Sequence, residues 1–140
     1  MPVVLARIDD RLIHGQVTAG WSRQLRPDRI ILANNAIAAD AWQSRVYASS
    51  VPPEIRVSIM PVARVAAELA DPANLDERIL LLTGSAEEMN ELVRIGAPVA
   101  TVNVGGLHFS AGKKEMLPFV FVDKHDMKAI RRLLDMGTIL

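Results

Sequence analysis

Val3-Val-Leu-Ala-Arg-Ile-Asp-Asp-Arg-Leu-Ile-His-Gly-Gln-Val17 reads as a buried strand that runs into a polar loop and then into a helix. The apolar run from Val3 to Ile8 suits the strand, with Arg7 as its single charge. Asp9, Asp10 and Arg11 end it. Beyond His14-Gly15 a fourfold apolar spacing begins, and Val17, Trp21 and Leu25 fall on one face of a helix from Gln16 to Leu25. In an open α/β sheet, loops leaving the carboxyl ends of strands line the ligand crevice, which places His14 at the working edge. Gly15 permits close backbone approach, and the amides opening the helix near Gln16 are donors suited to an anion. These residues bring together an imidazole nucleophile, the Arg11 guanidinium, two carboxylates and an oxyanion nest. A phosphoryl group on His14 would use all of them. A lone histidine is more often a loop or core residue than a nucleophile, so the whole string carries the reading, not His14 alone.

Outward from this unit the chain keeps alternating strand and helix. Arg26-Pro27-Asp28 breaks the first helix, and Arg29 to Ala33 is a short second strand ending in Asn34-Asn35. A helix from about Ala39 to Ser49 stops at Pro52-Pro53. Ile55 to Met60 is a third strand, and Pro61 suits the first turn of a helix running to about Leu69. After the Asp71-Pro-Ala-Asn74 loop, Ile79 to Leu82 is a fourth strand whose unbroken hydrophobicity puts it at the centre of the sheet. Thr83-Gly84-Ser85 opens the next helix, with Ser85 and Glu88 spaced as a capping box, and Gly96 ends it. Val99 to Val104 is a fifth strand, Gly105 to Met116 the longest irregular loop, and Phe119 to Val122 a sixth strand. Asp123 caps a last helix with Met127, Ile130 and Leu134 on one face, and Thr138 to Leu140 would begin a seventh strand. The expected fold is a single α/β domain over residues 1–140, with a mainly parallel open sheet of six to seven strands and helices on both faces.

Composition narrows the function. At 140 residues, 50% of them hydrophobic, the chain suits one domain with a sizeable core. Sixteen basic residues balance sixteen acidic ones, which argues against nucleic acid or an anionic membrane surface as the main partner. There is no cysteine, hence no disulfide, thiolate chemistry or cysteine metal site. The amino terminus has no secretory pattern, and no apolar run approaches the roughly 18 residues of a membrane span, so a cytoplasmic protein is expected.

Competing motifs can be set against these residues. Asp9-Asp10 at a strand end resembles the acidic pair of a receiver domain, but the places for its phosphoacceptor Asp and its Lys hold Met60-Pro61 and Asn103-Val-Gly-Gly106. A histidine phosphatase would carry Arg directly before His-Gly, where this chain has Ile13. The segment from Gly106 to Lys114 resembles a P-loop, yet five residues separate its glycines and Lys114 stands where Ser or Thr would bind magnesium. The three histidines lack metal-ligand spacing to carboxylates. No nucleotide, metal or other cofactor is expected.

The string Arg7-Ile-Asp-Asp-Arg-Leu-Ile-His-Gly-Gln-Val17 resembles the active-site loop of the enzyme IIB components of the mannose/fructose/sorbose-type sugar phosphotransferase system. Looser similarity continues through Asn34, the Thr83-Gly84 turn and Asn103-Val-Gly-Gly106. The resemblance implies a metal-free phosphocarrier: His14 accepts a phosphoryl group from a phosphohistidine on a IIA component and passes it to a sugar held by membrane IIC and IID components. Arg11 would grip the phosphoryl oxygens in a fork that lysine cannot reproduce. Asp9 would orient the loop, although a turn residue bonding its own backbone is an equal reading. Gly15 and Gln16 would offer amides to the phosphoryl group, and Thr83 is a second phosphate contact set against a plain helix-start role. Arg7 is read as a strand residue paired with a carboxylate, and Trp21 and Trp42 as core. His108, Lys113 and Lys114 lie in a loop that rims the site, meets a partner or is simply solvated. The partners expected are IIA, membrane IIC and IID through which the protein would sit at the inner face of the membrane, and, as an open option, a second copy of the chain. One alternative stays open: a regulatory module with the same fold that reports its phosphorylation state without phosphorylating sugar.

Overall fold

The computed structural model describes residues 3–13, 25–105, 113–117 and 120–135. Its central feature is a parallel sheet of five strands, β1 (Val3–Ile8), β2 (Arg29–Ala33), β3 (Arg56–Met60), β4 (Ile79–Thr83) and β5 (Asn103–Val104), in the order β3-β2-β4-β1-β5. Among the described residues the α-helices are α1 (Asn35–Ala38), α2 (Ala41–Ser49), α3 (Val62–Ala70), α4 (Ala86–Arg94) and α5 (Lys124–Asp135).

Strands β2 and β4, apolar apart from Arg29 and Thr83 at their ends, lie side by side in the middle, and alternate residues feed two cores. Ile31, Ile79 and Leu81 face Val65 and Leu69 of α3, Met89 and Leu92 of α4, and Ile130 and Leu133 of α5. Ile30, Leu32, Leu80 and Leu82 face the other way, onto Leu12, Ile13, Ile37 and Val51, with Tyr47 of α2 packed alongside. A strand buried on both faces has no polar side to show, which is why both runs read as continuous hydrophobicity.

Helix boundaries follow local chemistry. Asn34, Asp40 and Ser85 each accept a backbone N–H from the first turn of α1, α2 and α4, each such cap contributing about 1 kcal/mol. Pro61 provides no side-chain cap for α3, and Asn35 supplies it instead, accepting from the Val62 amide at 2.9 Å. Gly96 adopts φ +98° after α4, and the Ala97 amide reaches back to the Leu92 carbonyl at 2.9 Å, closing the helix as expected of a left-handed C-terminal glycine. Asp123 and Asp126 cap α5 reciprocally, at 2.9 and 3.1 Å.

Four sequence expectations need correction. The sheet has five strands among the described residues, not six to seven. The segment read as a sixth strand, now β7 (Val120–Val122), leaves that sheet and pairs antiparallel with β6 (Lys114–Leu117), inside the stretch read as an irregular loop. Trp42 is 68% exposed, because α2 meets the sheet through Tyr47 and buries none of its residues fully. Met127 and Leu134 also face solvent, the core face of α5 being Asp126, Ala129, Ile130 and Leu133. The helix over Gln16 to Leu25 with Trp21, and the strand at Thr138 to Leu140, lie almost wholly outside the described residues.

Candidate functional site at the carboxyl edge of the sheet

Because all five strands are parallel, the turns after β1, β4 and β5 emerge at one edge. Ile8 is in register with Thr83 on one side and Val104 on the other. The Asp9 amide donates to the Thr83 carbonyl at 2.9 Å, and the Gly105 amide to the Ile8 carbonyl at 2.7 Å. By strand order the connection leaving β1 runs past β4 toward β2 and that leaving β4 runs past β1 toward β5, so the two connections run in opposite directions, the arrangement that opens a crevice in α/β sheets.

Asp9 is the hub of the first turn and is fully buried. Its Oδ1 accepts from the Arg11 amide at 3.1 Å and from Arg11 Nε at 3.0 Å. Its Oδ2 accepts from Arg11 Nη2 at 2.9 Å and from Arg7 Nη2 at 3.2 Å. The carboxylate thus grips one guanidinium in a two-pronged fork while a second, buried guanidinium holds it from inside the strand. The Asp9 hydrogen bond favours the charged form of Arg11 beyond its ordinary range; burial opposes it, and the charges of Asp9 and Asp10 add to it. Arg11 keeps its side chain 40% exposed, at the rim.

The loop after Arg11 is drawn inward. Leu12 takes φ 61°, a left-handed conformation that costs a non-glycine residue about 1–2 kcal/mol. Its amide bonds the Asp9 carbonyl at 3.0 Å, and its side chain and that of Ile13 are buried in the second core, which offsets the strain. Gly84 makes room for this: a Cβ there would stand 3.0 Å from Leu12 Cδ2. His14, Gly15 and Gln16 follow directly and lie outside the described residues, as does His108.

Thr83 is at the same edge as Asp9 and fully buried, its hydroxyl donating to the Ser85 carbonyl at 3.1 Å. Ser85 caps α4 by accepting from the Glu88 amide at 3.1 Å and also bonds Glu88 Oε1 at 3.1 Å. Burial raises the Glu88 carboxyl above its usual range, against the opposing bonds from Ser85 and the Gly84 amide. A raised folded-state value means a contribution to stability that is complete at low pH and lost as the pH climbs through it. Glu88→Gln should therefore gain on the parent as pH rises from about 4 to 7, measured as the difference in Tm. A difference that stays flat or reverses contradicts this account of Glu88.

Local pattern reading did not find Asn103 and Gly105. Asn103 Oδ1 accepts a hydrogen bond from Arg7 Nη1, although the two residues are 96 positions apart. A Cβ on Gly105 would stand 2.4 Å from Arg7 Cζ and Nη2. The available signal was Arg7 itself, since an arginine inside an apolar strand must find acceptors on a neighbouring strand end. Lys113 leaves the rim reading: it pairs with Asp126 at 3.3 Å and ties the start of β6 to α5. Away from this edge, a polar cleft of about 440 Å³ opens between α4 and α5, bordered by Glu87, Asn90, His125 and Arg132. Among the described residues no group of three or more His, Cys, Asp or Glu is arranged to hold a metal, and no helix is long and apolar enough to cross a membrane.

A doubly covered parallel sheet with an Arg-Asp-Arg turn leading into His-Gly-Gln defines a class of proteins, and comparison with known proteins gives the family. Residues 3–140 match the family described as PTS system sorbose subfamily IIB component, and the chain belongs to it. The sorbose-specific EIIB component of Lacticaseibacillus casei is 35% identical over 140 residues, spanning 100% of this chain and 85% of that one. The mannose-specific EIIAB component of Escherichia coli (strain K12) is 35% identical over 133 residues, 95% of this chain and 41% of that longer one. Among solved structures, the IIBSor domain of the sorbose permease from Klebsiella pneumoniae superposes with a TM-score of 0.91 at 35% identity, covering 99% of this chain and 85% of that one. The protein is a IIB component of a sugar phosphotransferase system and has a transferase role.

Proposed function

We propose that the protein is a phosphocarrier in sugar uptake, taking a phosphoryl group onto His14 from a IIA phosphohistidine and passing it to a sugar held by membrane IIC and IID components. The observation that carries this reading is the turn Asp9 to Ile13, which fixes Arg11 by a carboxylate fork and buries the two residues before His14. Phosphoryl transfer asks a protein mainly for positioning and charge stabilisation, and this turn is built for both.

In the first step the lone pair of a His14 ring nitrogen forms the new N–P bond as the donor's N–P bond breaks. The donor imidazole keeps that electron pair and takes the proton His14 gives up. In the second step a sugar hydroxyl oxygen attacks phosphorus, the His14 N–P bond breaks, and the hydroxyl proton passes to the released nitrogen. Arg11 holds the phosphoryl oxygens, and Gly15 and Gln16 supply amides. Thr83 joins as a contact once its hydroxyl exchanges the Ser85 carbonyl for a phosphoryl oxygen, an exchange worth about 1 kcal/mol. No metal or cofactor enters either step. The protein works in the cytoplasm, at the inner face of the membrane through its partners, and nucleic acid takes no part. The relatives named above differ in their sugar, sorbose in one and mannose in another, so no sugar is assigned.

The test is labelling from phosphoenolpyruvate through the general phosphocarrier chain and a IIA protein, followed by membranes carrying IIC and IID with candidate sugars. Acid-labile label that moves to a sugar is the expected result. Absence of labelling refutes the reading, and label that moves to no sugar leaves the regulatory module, which no observation here favours. Arg11→Lys should keep the fold and slow transfer by about tenfold or more, since a point charge replaces a fork that both Asp9 and phosphate can use. Equal rates in variant and parent would reduce Arg11 to a surface charge.

A further inference from the structure

We propose that Arg7 is a positioning residue for transfer at His14, and that edge strand β5 belongs to the machinery because Asn103 and Gly105 hold Arg7 in place. The inference rests on the phosphohistidine reading and extends it to residues that touch neither phosphate nor sugar.

Arg7 is 4% exposed, in the last turn-facing stretch of β1 and in register with Asn103 of β5. Its Nη1 donates to Asn103 Oδ1 and its Nη2 to Asp9 Oδ2 at 3.2 Å. Asp9 in turn holds Arg11 through the backbone amide, Nε and Nη2. The result is one chain of contacts, Asn103 to Arg7 to Asp9 to Arg11, running from the sheet's edge strand to the exposed guanidinium. With Oδ2 held by Arg7 and Oδ1 by the Arg11 amide, the carboxylate plane cannot rotate, and the fork on Arg11 keeps one orientation.

Two physical points separate this role from plain stability. A buried ion pair is poor value as a stabiliser, since apolar residues of similar volume commonly do as well or better. What a guanidinium supplies in that place is direction. Gly105 carries the second point. Its φ is outside the left-handed region, so its backbone conformation does not call for glycine. Its missing side chain does: an added Cβ would sit 2.4 Å from Arg7 Cζ and Nη2 and 2.6 Å from Nε. Those atoms are the head of a group held by Asn103 and Asp9, so Gly105→Ala must displace the Arg7 guanidinium from its place between them.

The experiment measures phosphorylation of His14 by phosphoramidate, in which the His14 nitrogen forms its N–P bond as the donor's P–N bond breaks and ammonia leaves with a solvent proton. A second arm uses a phosphorylated IIA protein as donor. Gly105→Ala and Asn103→Leu should lower the rate at saturating donor by about ten- to a hundredfold with little change in KM, as expected for loss of alignment. Asn103→Asp, which keeps the acceptor, should recover most of the rate lost in Asn103→Leu. Arg7→Ala combined with Gly105→Ala should be no slower than Arg7→Ala alone, because both act through one group. The Arg11 Nε–H proton, read by NMR, should exchange faster in Gly105→Ala than in the parent while circular dichroism and Tm report a folded protein. Parent rates in Gly105→Ala and Asn103→Leu, additive losses in the double variant, or unchanged Arg11 Nε–H exchange each overturn the proposal. A parent that takes no phosphate from either donor is a different failure: it removes the phosphohistidine reading and this role with it, even where the Arg11 proton responds to Gly105→Ala.

Discussion

His14→Ala is expected to take up no acid-labile phosphate under conditions in which the parent acquires one group per chain. The effect should be complete, because the variant lacks the atom that forms the bond to phosphorus, whereas every other change at this edge removes only alignment or charge. The chain has three histidines, so the result is specific only beside controls. His125 stands exposed near the start of α5, bordering the cleft with α4, and His125→Ala should label like the parent. The fold should survive His14→Ala, since the turn ahead of it is anchored by Asp9, Leu12 and Ile13. Quantifying acid-labile label per folded molecule, with circular dichroism as the fold check, decides the matter. Undiminished label on the alanine variant would move the chemistry to another residue.

The legible parts of this chain were those whose cause is local. A strand buried on both faces is apolar along its buried run, so β2 and β4 were visible as runs, and the caps at Ser85 and Asp123 were visible because each pairs with an amide three residues away. The turn from Asp9 to Arg11 is equally local: its carboxylate reaches the amide and guanidinium two residues on.

What escaped was set at a distance. The Arg7 to Asn103 contact depends on β5 lying beside β1, which no window of sequence contains. The β6–β7 pair escaped because Lys114 and Glu115 interrupt the apolar pattern by which the sheet strands were recognised, and a strand outside the core sheet need not be apolar. Trp42 was placed in the core by its helical spacing, but spacing gives a face without saying which face docks, and in α2 that is the one bearing Tyr47. The same ambiguity of phase put Met127 and Leu134 on the face of the buried Ile130, where Ala129 and Leu133 in fact lie.

Removing the hub of the site should cost both stability and rate. Asp9→Ala takes away a fully buried carboxylate that bonds the Arg7 guanidinium at 3.2 Å and Arg11 at 2.9–3.1 Å through three donors. The buried Arg7 charge then loses its counter-charge, and breaking one side of a buried pair typically costs about 3–5 kcal/mol. Arg11 loses its fork at the same time, so the molecules that remain folded should transfer phosphate more slowly by roughly one to two orders of magnitude. Asp9→Asn separates the two effects. It keeps the shape and one acceptor oxygen, so it should unfold less readily than Asp9→Ala, yet it cannot hold both guanidiniums by charge and should still be slow. Urea unfolding followed by circular dichroism gives the first quantity, and phosphorylation at saturating donor, per folded molecule, gives the second. A stability loss below about 1 kcal/mol for Asp9→Ala, the range of an ordinary surface change, would mean that Arg7 and Arg11 do not depend on this carboxylate. Full transfer by Asp9→Asn would show that the charge of Asp9 has no part in setting the turn that leads to His14.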